Sequence, residues 1–287
     1  MEYSRRITRK SASNLALAFV LLPRSKRDGM SALYAFCRAV DDIADEDGLP
    51  VEERRAQLQA WRADIGLACN GGAPQLPVNQ ELQPVIQQYR LPYELFNQLL
   101  LGVEMDLEVH RYETYEELEL YCYRVASVVG LLSIEIFGYQ DPACKDYAVH
   151  LGKALQFTNI LRDVRVDASR DRIYLPQAEL ARFRVRPEEI LRFEYSDRFC
   201  ELASSVADRA QTFYRLARET LPKSERRTMI AAELMGAVYW RLLSKLRRRQ
   251  FDVFGPKPMR LTKPHKLALV LSTWFRISAG VLAPSYG

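Results

Sequence analysis

The segment Tyr34-Ala-Phe-Cys-Arg-Ala-Val-Asp-Asp-Ile-Ala-Asp45 sets acidic groups among residues that belong inside a protein. Leu33, Phe36, Cys37, Val40, Ile43 and Ala44 recur at helical spacing, so the segment predicts a helix with a broad buried face. Tyr34, Arg38, Asp41 and Asp45, with Asp42 beside them, form a second stripe along the same helix. Carboxylates one turn apart repel by roughly 0.2–0.5 kcal/mol, and near a helix C-terminus they also oppose the macrodipole. Burial without a partner costs far more. Such a run either looks into water or meets a cation.

A second segment repeats the pattern. In Gln156-Phe-Thr-Asn-Ile-Leu-Arg-Asp-Val-Arg-Val-Asp167, the polar residues Gln156, Asn159, Asp163 and Asp167 fall on one stripe, and Leu155, Ile160, Leu161 and Val164 supply an apolar side. One acidic stripe is common on a solvated helix; two matched ones on core-packed helices point to a shared cavity. Oxygen donors of this kind suit magnesium, which takes one or two carboxylates and completes its shell with water and substrate phosphate. The pair therefore reads as a clamp for a diphosphate.

The bulk of the chain agrees with an ordinary globular protein. It has 287 residues, 48% hydrophobic and 27% charged, which is ample for a core. The net charge of +5 suits anionic small molecules, an anionic membrane surface or nucleic acid, and chooses among none of them. Five cysteines, Cys37, Cys69, Cys122, Cys144 and Cys200, form no C-x-x-C pair and predict thiols used as small apolar groups in a reducing cytoplasm. Arg5, Arg6, Arg9 and Lys10 before the apolar run Leu15 to Leu22 imitate a signal peptide, but no small-residue cleavage site follows. That run is too short to span a bilayer and is expected to be the first helix.

Helical periodicity continues throughout. Helices are expected from Ser25 to about Glu46, Val51 to Cys69, Asn79 to Tyr89, Tyr93 to about His110, and Tyr115 to Gly138 with a weak point near Gly130. The second acidic helix is expected over Pro142 to Ser169, followed by an extended stretch Asp171 to Pro176. Two or three helices fill Pro187 to Phe251, broken at Leu221-Pro-Lys, and Lys266 to Leu282 forms a last one, too short and too charged to cross a membrane. Glu104 and Glu108 read as a solvated face near Arg111, with Asp106 the exception. No strand alternation and no G-x-G-x-x-G fingerprint appears. The expectation is an all-α fold, one helical domain over 1–287.

Several of these segments resemble the squalene and phytoene synthase family: Tyr34 to Asp45, Gly102-Val-Glu-Met-Asp-Leu107, Tyr121-Cys122, Val125-Ala-Ser-Val-Val-Gly130, Asn159-Ile-Leu-Arg-Asp163 and Arg172-Ile-Tyr-Leu-Pro176. They occur in the family's order over nearly the whole chain. Within the family the likeness is greatest to the bacterial presqualene diphosphate synthases of hopanoid biosynthesis. The resemblance implies the isoprenoid synthase helical bundle around a central cavity, and head-to-head condensation of two farnesyl diphosphates. It implies magnesium, with manganese as the alternative, held by Asp41, Asp42 and Asp45 and by Asn159, Asp163 and Asp167. Tyr34, Arg38, Tyr121 and Arg162 match positions that hold or flank diphosphate, Gln156 shares their stripe, and Asp106 matches an acidic cavity position. Where many relatives carry acidic residues inside the second motif, this chain has Arg165 and Val166.

For the chemistry so implied, Tyr34, Arg38 and Tyr121 are the expected catalytic side chains, Tyr121 relaying the lost proton. Arg38, Arg162, Gln156 and Asn159 are expected on the diphosphate, and Phe36, Phe157 and Val129 on the apolar wall that shields a cation from water. NADPH is not expected. Phytoene synthase or squalene synthase is the alternative within the class. A basic nucleic-acid or membrane module built on Arg241 to Arg249 is the alternative outside it, and it gives no reason for two aspartate stripes. The expected partners are prenyl diphosphates and not nucleic acid, with handover to downstream squalene-forming enzymes. The expected location is the cytoplasm, with peripheral contact to the inner face of the membrane.

Overall fold

Alternation of turn-formers and long amphipathic runs builds a stack of helices. The computed structural model describes residues 1–10, 19, 21–46, 48–278 and 286. The first-helix expectation, Leu15 to Leu22, falls largely outside the described residues. Helix α1 is Glu2–Lys10 and α2 is Arg24–Ala44. There follow α3 (Val51–Cys69), α4 (Pro77–Tyr89), α5 (Tyr93–Glu108), α6 (Tyr115–Cys122) and α7 (Val128–Phe137). The second acidic helix is α8 (Ala143–Ala168), and α9 (Gln177–Arg182) and α10 (Pro187–Leu191) are short. The last three are α11 (Asp197–Thr220), α12 (Ile230–Arg248) and α13 (Lys263–Ser278). No strand occurs among the described residues, only an isolated bridge between Arg111 and Ile173.

Local chemistry sets the helix ends. Thr114 and Ser196 accept from the Glu117 and Phe199 amides as N-caps, at 3.4 and 3.2 Å. Gly138 takes φ +75° to close α7. The buried Asp64 carboxylate accepts from the Gln75 and Leu76 amides and from Asn79, at 2.6, 3.1 and 2.8 Å, tying the start of α4 to α3. At the other end of the chain, buried Glu233 on α12 accepts from Tyr147 at 2.8 Å and from Tyr286 at 2.5 Å.

The break in the 115–137 helix lies earlier than Gly130. Tyr123–Ser127 is wound as a π-helix between α6 and α7, a widening that inserts into α-helices mostly at functional sites. Glycines let this wide turn pack closely. A Cβ on Gly102 would meet Arg124 Cβ at 2.7 Å, and one on Gly152 would meet Ser127 Cα at 2.5 Å. Gly130 is a contact too, its own Cβ position lying 3.0 Å from the Ala148 carbonyl oxygen. The 115–137 segment is long and apolar enough to cross a membrane, yet half of its most apolar window is buried inside the molecule. It is the central wall of the bundle, between α5 and α8.

After α8 the chain turns at Asp171 and runs extended alongside 110–113. The Ile173 amide donates to the His110 carbonyl at 3.0 Å, and the Gln177 amide to that of Tyr112 at 2.8 Å. This pairing, expected as an extended stretch, carries Arg172 and Tyr174 back beneath α5. Arg111, by contrast, does not pair with the Glu104–Glu108 face: it binds Asp171, while Glu104 takes Arg62 and Glu108 takes Arg55.

Gly152→Ala is expected to destabilise the protein by about 1–3 kcal/mol, because its methyl meets backbone and not a yielding side chain. Gly66→Ala, whose methyl would find only the Tyr93 ring at 3.6 Å, is expected to gain up to about 1 kcal/mol from helix propensity. Denaturant unfolding of both variants checks the pair.

Candidate active site

Both acidic stripes line one cavity of about 540 Å³, enclosed by α2, α5, the α6–α7 wall, α8 and α12. From α2 come Tyr34, Arg38 and Asp41, with Asp45 at its C-cap; from α8 come Gln156, Asn159, Arg162, Asp163 and Asp167. Asp106 of α5 and Tyr121 of α6 sit between them, and Val129 is on the wall. Away from the carboxylates the lining is apolar, with Leu33, Leu99, Val103, Leu151, Leu155 and Met235. One chamber thus has an oxygen-rich end and a hydrocarbon end.

Three expected residues lie elsewhere. Phe36 is fully buried on the far side of α2, edge-on to Trp61 and Phe96 with centroids 5.7 and 5.2 Å apart. Phe157 is rotated away by one helical step from Gln156 and stacks on Phe213 at 5.7 Å. Both are core: each is fully buried against rings on the side of its helix away from the cavity. Asp42 shares Arg38 and a similar exposure with Asp41, 55% against 53%, but unlike Asp41 it does not line the chamber.

The polar end is held together by groups that the sequence did not single out. Arg170 reaches Asp45 Oδ1 at 2.8 Å, and Arg172 reaches the same atom at 3.2 Å while donating to the Asp106 carbonyl at 3.1 Å. The Tyr121 and Tyr174 hydroxyls donate to the two Asp106 carboxylate oxygens, at 3.0 and 2.7 Å. Tyr239 completes the rim near Arg162. The signal for Arg172 and Tyr174 was present in Arg172-Ile-Tyr-Leu-Pro176, but only the return of that extended stretch to 110–113 shows where they point. Arg165 is turned out of the site: it donates to the Phe254 carbonyl and lies 4.2 Å over the Phe193 ring. The departure at Arg165 and Val166 therefore adds no cation to the cavity lining.

Electrostatics mark the site as built for positive charge. Partial burial first, then the neighbouring Asp45, raise the Asp41 carboxyl to about 6, although 53% of its side chain stays open to solvent. Burial raises Asp106 to about 6 even though two tyrosines and Arg172 oppose the shift. Burial and then Asp163 raise Asp167 to about 8. The Asn159 side-chain oxygen is buried with no hydrogen-bond partner, an acceptor directed to something the protein does not supply. Among the described residues no three acidic, His or Cys side chains converge closely enough to cage an ion unaided.

The pattern of the squalene/phytoene synthase family matches residues 8–265, and the chain belongs to that family. It is 36% identical over 261 residues to the presqualene diphosphate synthase of Rhodopseudomonas palustris, covering 90% of this chain and 92% of the relative. It is 34% identical over 271 residues to the phytoene synthase of Arthrospira platensis, covering 89% and 86%. Among solved structures, a dehydrosqualene synthase in complex with ligand superposes with a TM-score of 0.86 at 28% identity, covering 97% of this chain and 96% of that one. The fold is the all-α isoprenoid synthase fold, and the chain is a transferase of isoprenoid biosynthesis from a family that uses prenyl diphosphates.

A carboxyl that holds its proton more tightly in the folded chain than in the unfolded one stabilises the fold at low pH. That contribution is lost as pH rises, for Asp167 between the ordinary 3.8 and about 8. With divalent ions chelated, Asp167→Asn is expected to melt a few degrees above the parent at pH 8.5 and to lose that advantage by pH 4, as thermal unfolding at both pH values reads.

Proposed function

We propose that this enzyme joins two farnesyl diphosphates head to head, releasing one diphosphate and forming presqualene diphosphate. The observation that carries the reading is the single chamber with opposed aspartate stripes at one end and hydrocarbon at the other. An allylic diphosphate fits it head to the carboxylates and tail to the apolar wall. The name of the Rhodopseudomonas palustris relative supports the farnesyl assignment. The phytoene synthase relative supports the competing one, in which two geranylgeranyl diphosphates are the substrates.

Ionisation of the first substrate needs compensation of the charge that builds on its leaving oxygens. Asp41 and Asp45, with Asn159, Asp163 and Asp167, would hold magnesium or manganese, which would supply Lewis-acid neutralisation there. Arg38 and Arg162 fork onto the phosphate oxygens, and Gln156 and Tyr34 orient them. Arg170 and Arg172, which also line the cavity, fix Asp45. The walls at Val129, Leu151 and Leu155 keep water from the allylic cation.

The 2,3 double bond of the second farnesyl chain then attacks that cation. A C–H bond beside the new cationic centre gives its electron pair to the closing cyclopropane, and its proton must go to a base. Burial pushes the Tyr121 phenol well above its ordinary value, so it does not act as a phenolate. Its oxygen instead accepts the proton while its own passes along the 3.0 Å hydrogen bond to Asp106 Oδ2. Asp106, raised to about 6, is a base matched to neutral pH. Released diphosphate is the competing acceptor.

Incubation with farnesyl or geranylgeranyl diphosphate and magnesium, with and without NADPH, followed by product identification, tests the reading. Presqualene diphosphate from the C15 substrate is expected; turnover confined to the C20 substrate replaces the proposal with phytoene synthesis. Asp41→Ala and Asp163→Ala are each expected to lose about 10²–10³-fold in kcat with the fold retained by circular dichroism. Tyr121→Phe is expected to consume the first substrate while losing cyclopropane product, read as diphosphate release against presqualene yield.

A further inference from the structure

Helix α13 wears its hydrocarbon on the outside. Leu269, Val270 and Thr273 face inward, each at most 8% exposed, whereas Leu271 and Phe275 stand 59% and 65% exposed. Leu271 and Phe275 are one turn apart and share a face with exposed Ala268. The other large exposed apolar residues among those described, Tyr3, Leu67, Leu120, Val166 and Tyr195, stand singly. Adjacent apolar side chains with charged residues around them have the form of a docking patch.

Charge says what the occupant is. From Val253 onwards the sequence holds five Lys and Arg and no Asp or Glu. Lys257 and Arg260 are exposed in the loop before the helix, with Lys266 in its first turns and Arg276 in its last. Lys245 of α12 donates to the Arg260 carbonyl at 2.7 Å and fixes that loop to the bundle. A second copy docking on this face would bring two cationic rims together, and nucleic acid has no use for the apolar stripe. An anionic bilayer takes both, with the stripe among the acyl chains and the cations at the headgroups.

The position suits the chemistry. Lys266 lies within electrostatic reach of Arg162, which lines the polar end of the cavity. We infer that α13 is an interfacial helix that seats the enzyme on an anionic lipid surface beside the mouth of its cavity. The helix lies in the membrane plane and does not cross it.

Co-flotation with vesicles of phosphatidylcholine alone and of phosphatidylcholine mixed with phosphatidylglycerol tests this on the full chain. Binding is expected to the anionic vesicles and to fall steeply with salt. Lys257→Ala with Arg276→Ala is expected to weaken it about fivefold per charge, and Leu271→Asp with Phe275→Asp to weaken it at least about tenfold. Unchanged melting of each variant and unchanged turnover of detergent-dispersed substrate separate loss of docking from loss of fold. Wild-type protein that ignores anionic vesicles, or a Leu271→Asp/Phe275→Asp variant that binds them as before, overturns the inference. So does a solution dimer that this variant dissociates. Vesicle binding is read without turnover, so its failure and the failure of the prenyl-transfer reading are distinguishable.

Discussion

Carboxylates that repel one another across a chamber of hydrocarbon govern the rest of this structure. Asp41 and Asp45 on one helix and Asp163 and Asp167 on another line the same cavity, with Asp106 between them. Left alone, such a cluster would drive the helices apart or take up protons, and the raised Asp41, Asp106 and Asp167 carboxyls are the second of those responses. The protein compensates only part of the charge. Arg170 and Arg172 neutralise Asp45, Arg162 pairs with Asp163, and two tyrosines donate to Asp106. The uncompensated remainder is what a cation-bearing diphosphate would satisfy.

The scaffold pays for this strain with close backbone packing. Glycines at 102, 130 and 152 let the π-wound wall lie directly against α5 and α8. Rigid neighbours on both sides hold the two acidic helices at a fixed separation despite their repulsion. The extended return after α8 completes the arrangement by delivering Arg172 and Tyr174 under Asp106. Stability given up at the acidic end is a familiar feature of sites that must bind charge in a dry place.

Much of the site was legible because helical periodicity is local. Tyr34, Arg38, Asp41 and Asp45 share a stripe by spacing alone, as do Gln156, Asn159, Asp163 and Asp167, and all eight line the cavity. Asp42, carried over with the family motif, and Phe36 and Phe157, expected on the wall for the chemistry the resemblance implied, do not line the chamber. The break in the central wall was expected at Gly130 because glycine weakens a helix, but the widened turn falls at Tyr123–Ser127, where packing against α5 and α8 decides the winding.

By itself the sequence determined an all-helical chain, the two acidic stripes and the family to which they belong. Those are properties of residue order within a few turns, which the backbone fixes before any long-range contact forms. Only the tertiary structure decided that Arg170, Arg172 and Tyr174 serve Asp45 and Asp106, that Arg165 turns away, and that Glu233 is satisfied by Tyr147 and Tyr286. Each of these partnerships joins residues distant in the chain, and sequence spacing carries no information about which distant side chain will arrive to share a buried charge.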